Sequence, residues 1–501
     1  MEDQASESAS GHGWQPKPGD RIIRRPRVKP FRLRRVLGIP GLFSAGYGDV
    51  GSSIYYALGI VALVALGATP IALGIAGLIY ICNALTYAEG GAMLPEAGGS
   101  ASFARHGLND LAGFIAGWAL MLSYIVTMAI SAYTIPPYLA YFWPILDDPV
   151  VDTLVAMGII AFLMLVNVIG VRESSRLNIF FITVDITTQL TLVILGALLI
   201  LAPGPGMLVQ HMFGEGNWPN TQNLVFGIAI AALCFTGVET VSQLAEETRR
   251  PAEKIPRAYI LMIVAVLVLF AGISLVALSA MEPQVLGDPI AGWARDPVAG
   301  IAAHLPSKTL QSIFAPLVAI LAASILLTAT NAGLLGISRL SFNMSSHRQL
   351  PAILGRIHHR FRTPYVAIIL FCTVALLVLC PGFATPGFFA ELGALYVFGS
   401  LLCFALAHAA LLGLRIQKPD MPRPFKLALN LKVKGRELPL TAVLGLVATA
   451  IIWMVVVATQ PFSRWVGIIW MIIGLTVYYV YRRSKGTSIG LHSARHRDFS
   501  S

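Results

Sequence analysis

Apolar runs of about 20 residues recur along this chain, and no other feature restricts its fold as strongly. A helical run of that length spans the hydrocarbon core of a bilayer. Hydrophobic residues make up 56% of the 501 residues and charged residues only 12%, a balance that a soluble globular protein of this size does not need. The pattern predicts an all-α polytopic membrane protein.

Twelve apolar segments are predicted to cross the membrane. They cover residues 38–67, 70–90, 109–138, 150–170, 177–201, 224–245, 257–279, 309–338, 364–381, 387–413, 439–458 and 464–482. The predicted membrane domain therefore extends over 38–483, between a basic N-terminal tail at 1–37 and a polar C-terminal tail at 484–501. No apolar core precedes the basic run, so a cleavable signal peptide is not expected.

The distribution of charge predicts the orientation. Only Arg295, Lys308 and Arg464, of 36 basic residues, fall in the connections that the twelve-span arrangement puts outside. Because basic residues concentrate on the cytoplasmic side, both termini are expected there, in a cell (inner) membrane. The basic tail is then expected to lie on anionic lipid, and nucleic acid is not an expected partner.

The first segment is unusual for a membrane helix. Gly46, Gly48 and Gly51 cluster in it around the carboxylate of Asp49. Glycine costs about 1 kcal/mol per helical position relative to alanine, and a carboxylate in mid-membrane costs roughly 2.5–3.5 kcal/mol. These costs predict a broken helix whose freed backbone groups line a cavity, although glycines can also serve only to let helices pack closely.

A matching defect lies five segments later, in the sixth. There Gly237 and Glu239 interrupt an apolar helix. Because five is odd, two halves that each begin with such a defect insert in opposite orientations. The pairing predicts a 5+5 inverted repeat, with repeat one at about 38–201, repeat two at about 224–413 and two further helices at about 439–482. A substrate site is expected at mid-membrane, where the broken helices 1 and 6 meet.

Three motifs carry a resemblance to a known family. They are VGSSIYYALG at 50–59, CFTGVETVSQLAEETRRPAEKIPRA at 234–258, and the segment from Asn331 to Arg339. Together they resemble the amino acid–polyamine–organocation (APC) superfamily, which has the leucine-transporter fold, over roughly residues 38–480. The resemblance implies that a substrate carboxylate binds near the start of the second half of helix 1, and that a substrate ammonium binds carbonyl groups before Gly237.

The breaks and the resemblance together predict the site residues. The expected substrate-binding residues are Asp49, Gly51, Ser52, Ser53, Tyr56, Tyr124, Thr127, Phe235, Thr236, Gly237, Glu239 and Tyr396. Three mid-span acids, Asp49, Asp185 and Glu239, have no Lys or Arg at comparable depth. Such acids must be protonated or must bind a cation, so they are also the expected proton relay or coupling residues.

The resemblance implies two different ligands. Asp185 aligns with a position at which many proton-coupled amino acid permeases carry a lysine. In contrast, Asp49, Ser52, Ser53 and Tyr56 resemble the pattern of the bacterial proton-coupled potassium importers of the superfamily. This chain differs from those importers at two points: they have an aspartate where it has Ser123, and they carry a large cytoplasmic C-terminal domain that its predicted 18-residue tail at 484–501 does not match. The exit of helix 6 resembles the amino acid branch instead.

The sequence thus predicts a secondary active transporter that imports amino acids or polyamines, with H⁺ as the expected coupling ion. The alternatives are proton-coupled K⁺ uptake and, from another class, a membrane sensor or accessory subunit that does not transport. No HExxH, GxSxG or P-loop pattern occurs, so an enzyme is not expected. The five cysteines lack metal-ligand spacing, and no metal or cofactor is predicted. The oligomeric state does not follow from the sequence.

Overall fold

The computed structural model describes residues 35–170, 175–201, 205–384, 388–433 and 435–486. The first half contains helices α1 (Ile39–Ser52), α2 (Ile54–Ala65), α3 (Thr69–Met93), α4 (Ser100–Gly107), α5 (Asp110–Leu139), α6 (Pro149–Ile169), α7 (Ser175–Leu201), α8 (Gly206–Phe213), α9 (Thr221–Ala231) and α10 (Thr240–Gln243). The second half contains α11 (Pro251–Ala280), α12 (Pro283–Gly287), α13 (Pro297–Ala303), α14 (Lys308–Ser346), α15 (Tyr365–Leu379), α16 (Phe388–Gln417), strands β1 (Asn430–Val433) and β2 (Arg436–Pro439), α17 (Leu440–Thr459) and α18 (Pro461–Ser484). The predicted tails lie almost entirely outside the described residues.

Eleven helical stretches within these described ranges are long and apolar enough to cross a membrane. The first stretch, Ile39–Met93, is 55 residues long and comprises α1, α2 and α3. At 1.5 Å per residue it far exceeds a hydrocarbon core of about 30 Å, and its backbone leaves helical geometry at Leu66, where φ is 46°. Two crossings fit this length, as predicted for 38–67 and 70–90. The polytopic helical fold is confirmed, while the total of twelve and the inverted repeat stay predictions.

The centre of the bundle is α5, and the periphery includes α18. In the most apolar stretch of each helix, 94% of α5 is buried but only 22% of α18. Large apolar side chains such as Leu165 on α6 and Ile472 on α18 are exposed on the outside of the bundle. Since lipid tails are as apolar as leucine, this exposure is what a lipid-facing surface requires.

One end of the bundle, here named the basic end, is tied together by contacts among four segments of the chain. Leu37 pairs with Thr248 in an isolated parallel bridge, and Glu247 forms a 2.8 Å ion pair with Arg339. Glu246 accepts a hydrogen bond from the backbone of Ala97. These contacts join the start of α1 and the exit of the sixth predicted span to α14 and to the α3–α4 connection.

A buried ion pair lies deeper at the same end. The Glu89 carboxylate on α3 accepts two hydrogen bonds from Arg415 on α16, at 2.8 and 2.7 Å, and a third from the backbone N–H of Leu427 at 3.0 Å. Arg423 approaches the same carboxylate at 3.8 Å. Both Glu89 and Arg415 are almost fully removed from solvent, so each neutralises a charge that would otherwise be very costly to bury.

The opposite end of the bundle is closed by the connection between α11 and α14. Arg295 forms an ion pair with the buried Asp152 at the start of α6, and its guanidinium lies 5.7 Å from the centre of the Tyr133 ring on α5. Tyr138 donates a hydrogen bond to the Tyr55 carbonyl of α2 at 2.7 Å. Arg295 thereby holds the connection against α5 and α6, and Tyr138 joins α5 to α2.

Asp296, next to Arg295, gives this connection a pH dependence. Burial raises the pKa of its carboxyl from 3.8 to about 7; Arg295 opposes the rise and Asp147 adds to it. The folded state therefore holds this proton more tightly than the unfolded state does, and stability should fall as pH rises from about 4 to about 7, by at most ~1.4 kcal/mol per pH unit. The unfolding temperature should therefore fall less between pH 4 and pH 7 in Asp296→Asn than in the unmodified protein. In Asp147→Asn the fall should end at a lower pH, because Asp147 no longer raises the pKa of Asp296. Equal slopes of unfolding temperature against pH in the unmodified protein and both variants would contradict the assignment.

Candidate functional site

The sixth predicted span is broken in its middle, as expected. Helix α9 ends at Ala231, a 3-10 turn covers Ala232–Phe235, and residues 236–239 are not helical before α10 begins at Thr240. Gly237 has φ of +92°, in the left-handed region that glycine adopts at little cost. The glycine thus provides the backbone turn that an L-residue would resist.

The first span is interrupted much less. Gly46, Gly48 and Gly51 all lie inside α1, and the interruption falls at the single residue Ser53. The Ser53 N–H bonds the Val50 carbonyl at 3.2 Å, a 3-10 contact rather than an α-helical one. The predicted break is therefore absent from the first span: Ser53 keeps helical dihedrals, with φ of −66° and ψ of −23°, because these glycines give room to neighbouring side chains while keeping helical geometry. For example, the Tyr47 ring fills the space beside Gly51.

The two interruptions contact each other directly. The Ser53 hydroxyl lies 2.6 Å from the carbonyl oxygens of both Val50 and Cys234 and can donate to either. Thr240, the first residue of α10, donates a hydrogen bond to Asp49 Oδ2. A side-chain carbon at Gly237 would lie 2.7 Å from Asp49 Cγ. The structure therefore brings Asp49, Ser53 and Gly237 together.

Two carboxylates at this junction are buried without compensation. Asp49 is 3% exposed and Glu239 is 0% exposed. Asp49 Oδ1 and both oxygens of Glu239 have no hydrogen-bond partner within the described ranges, and no ion pair there includes either residue. Because an uncompensated buried carboxylate is very unfavourable, these oxygens require a proton or a bound cation.

The third predicted acid, Asp185 on α7, has a different environment. Its carboxylate accepts hydrogen bonds from Tyr55 at 2.5 Å, from Gln189 at 2.8 Å and from Tyr47 at 3.5 Å. Asp185 is thus held by three donors, and within the described ranges no hydrogen bond or ion pair joins it to Asp49 or Glu239. Sequence reasoning missed these partners. Only Gln189, one helical turn after Asp185, could have been found from spacing.

The remaining site residues are buried, but they do not all contact the junction. Ser52 donates to the Asp49 carbonyl at 2.8 Å and Thr236 to the Leu233 carbonyl at 2.8 Å. The Phe235 ring instead stacks on Tyr80 of α3, 5.3 Å between centres, and also packs against Phe270 of α11. Its backbone belongs to the break, whereas its side chain packs against the neighbouring helices.

Hydroxyl and aromatic groups of α2, α5 and α16 complete the predicted set. Thr127 donates to the Ser123 carbonyl at 2.9 Å, and Tyr56 packs edge-on against Phe389. Tyr124 is 1% exposed, and its hydroxyl has no hydrogen-bond partner among the residues described. Tyr396 is also 1% exposed. A search of the described residues finds no group of three or more His, Cys, Asp or Glu that could hold a metal ion.

Comparison with known proteins adds independent evidence. The sequence profile of a family described as amino acid permease matches residues 37–478. The branched-chain amino acid permease BcaP of Bacillus subtilis is 28% identical over 90% of this chain and 94% of its own length. The methylthioribose transporter of the same organism is 26% identical over 94% and 98%, respectively. The vacuolar cationic amino acid transporter 4 of Arabidopsis thaliana is 27% identical over 78% of this chain and 65% of its own.

Proposed function

The chain belongs to the amino acid permease family of the APC superfamily and is a transporter, not an enzyme; on that premise we propose that it is a secondary active importer of amino acids or polyamines, coupled to a cation. Substrates that carry an extra positive charge are favoured. H⁺ is the proposed coupling ion.

The observation that carries the proposal is the contact between the two helix interruptions. A backbone break alone supplies peptide dipoles, which suit the carboxylate and ammonium groups common to all amino acids. Asp49 and Glu239 add carboxylate oxygens that lack partners among the described residues. A cationic side chain, a second amine or a proton would satisfy them, which supports cationic substrates and cation coupling.

The names of the relatives agree on transport but differ in ligand. They include a branched-chain amino acid permease, a cationic amino acid transporter and a methylthioribose transporter. This range of ligands supports the transport of a small polar solute. The class of that solute must then depend on the residues of the site. The buried carboxylates therefore carry the choice of a cationic amino acid or polyamine.

Potassium uptake is the second candidate. The Asp49 carboxylate has an Oδ1 without a partner among the described residues and accepts a hydrogen bond from the Thr240 hydroxyl, and the Ser53 hydroxyl lies 2.6 Å from the Cys234 carbonyl where the two spans meet. Oxygen ligands suit a hard monovalent cation, and the sequence pattern around Asp49 resembles that of potassium importers. This candidate predicts K⁺ flux that depends on Asp49 and needs no organic substrate.

The chain is a multi-pass membrane protein, and we propose the cytoplasm for both termini. The basic end would then face the cytoplasm, because Arg339, Arg415 and Arg423 lie there and because basic residues favour that side. The connection that carries Arg295 would face outward.

Uptake into proteoliposomes tests the proposal. With an inward proton gradient we expect uptake of lysine, arginine or a diamine, and thermal stabilisation of the purified protein by the same compound. Asp49→Asn should lower uptake about tenfold or more, a loss of roughly 1.4 kcal/mol in binding. Asp185→Asn should change the pH profile of uptake. The control is Glu215→Gln, which alters an exposed carboxylate and should leave uptake unchanged.

Other results of these uptake and stability measurements would point elsewhere. Uptake of K⁺ alone, lost in Asp49→Asn, would support the potassium candidate. Ligand-induced stabilisation without flux of any compound would support a sensor. An Asp49→Asn protein with normal uptake would remove Asp49 from the site.

A further inference from the structure

A short β-hairpin lies between α16 and α17. Strands β1 and β2 pair antiparallel, with Leu431 opposite Leu438 and Val433 opposite Arg436. Strand β2 ends at Pro439, and α17 begins at the next residue. Arg436 also donates a 2.5 Å hydrogen bond to the Ile416 carbonyl near the end of α16. Since α16 and α17 are both candidate membrane spans, the hairpin is held where these helices leave the membrane.

The two faces of the hairpin differ in polarity. Cross-strand partners share a face and successive residues alternate. One face therefore carries Leu431, Val433 and Leu438 with a single basic residue, Arg436, and the other carries the charged pair Lys432 and Glu437. Leu429, Leu431 and Val433 are 64%, 43% and 47% exposed, respectively. Three large apolar side chains within five residues are thus left uncovered beside the membrane.

The charge around these apolar residues is positive. Residues 426–439 contain four basic residues and one acidic residue, Glu437, which pairs with Lys426. Lys432 and Arg436 are exposed. Next to the hairpin is a mainly apolar groove, and its lining includes Leu85, Phe425, Leu427 and Leu429 together with Lys426 and Thr441. The Thr441 hydroxyl is buried and has no hydrogen-bond partner in the described part of the chain.

We propose that this hairpin docks into the surface of a bilayer containing anionic phospholipid. Leu429, Leu431 and Val433 enter the boundary between headgroups and acyl chains, and the neighbouring basic side chains bind lipid phosphates. The position of the hairpin favours lipid over a protein partner, because the strands are joined to two spans that already lie in the membrane. The inference is independent of the substrate and of the transport cycle.

Site-specific quenching tests the proposal without measuring transport. Cys82 and Cys380, the cysteines that are not buried, are first replaced by alanine. Leu431→Cys and the matched control Lys432→Cys, on opposite faces of the same strand, are then labelled with an environment-sensitive fluorophore. The proteins are reconstituted in vesicles of phosphatidylcholine and phosphatidylglycerol. Nitroxide-labelled lipid should quench the label at 431 several-fold more than the label at 432, and aqueous iodide should show the reverse order.

A charge variant separates the electrostatic part. Combining Lys432→Gln and Arg436→Gln with Leu431→Cys should reduce quenching of the label at 431 by the nitroxide lipid. Leaving phosphatidylglycerol out of the vesicles should reduce that quenching as well in the Leu431→Cys protein that keeps both basic residues. Equal iodide quenching at 431 and 432 would overturn the proposal, because both faces would then lie in water. A label at 431 that is shielded from both quenchers would also overturn it, in favour of a protein contact.

Discussion

Replacing Gly237 by alanine is expected to remove most of the transport activity, by tenfold or more. Two effects combine at this position. An L-residue at φ of +92° is strained, which costs of order 1–3 kcal/mol. The new methyl group would also lie 2.7 Å from Asp49 Cγ and must displace it. Since this carboxylate is central to the proposed site, the displacement should affect substrate binding more than folding. Uptake and thermal stability, measured on the same preparation, check the expectation.

Gly216 provides the matched control. Its φ is +80°, but a side-chain carbon there would meet no atom within 4 Å. Gly216→Ala therefore introduces similar backbone strain without the clash, and it should lower stability while leaving uptake nearly normal. If the two variants lose uptake equally, the contact between Gly237 and Asp49 does not carry the effect.

The largest loss of stability is expected from Glu89→Gln. This change removes the charge that two hydrogen bonds from Arg415 and one from the Leu427 backbone satisfy. It leaves the Arg415 guanidinium buried and without its counter-charge. Breaking a buried pair in this way typically costs about 3–5 kcal/mol. A strongly lowered unfolding temperature is expected in detergent and in lipid, although Glu89 lies outside the proposed substrate site.

An exposed ion pair, Lys426 with Glu437, serves as the comparison. Lys426 and Glu437 are 48% and 41% exposed, so water screens the pair and Glu437→Gln should leave the unfolding temperature almost unchanged. Arg415→Met should restore part of the stability when combined with Glu89→Gln, because the uncompensated charge is then gone. If the double variant is less stable than either single variant, the loss is not due to an unpaired charge.

The sequence was sufficient for features that depend on local composition. The membrane spans follow from apolar length, and the break at Gly237 follows from a glycine and an acid inside an apolar helix. The predicted break in the first span was wrong, because a glycine can serve either to bend the backbone or to give room to a neighbouring side chain, and the sequence does not distinguish these uses.

Features that join distant parts of the chain were not predictable in the same way. Glu89 and Arg415 are 326 positions apart, and Asp185 and Tyr55 are 130 apart. Neither pair leaves a periodic signal, since each arises only when the helices pack. Sequence reasoning therefore identified Asp185 as an uncompensated acid, whereas its carboxylate is held by hydrogen-bond donors from α1, α2 and α7.

The almost complete burial of Asp49 and Glu239 has a kinetic consequence. Neither carboxylate is open to solvent in this conformation, in which the Glu247–Arg339 pair joins segments at the basic end and the Asp152–Arg295 pair joins segments at the opposite end. Neither a hydronium ion nor a solute can reach the two acids until one of these ends opens. Loading of the proton and of the cargo would then share one opening event, and the protein could couple their fluxes through the timing of access as well as through their mutual affinity.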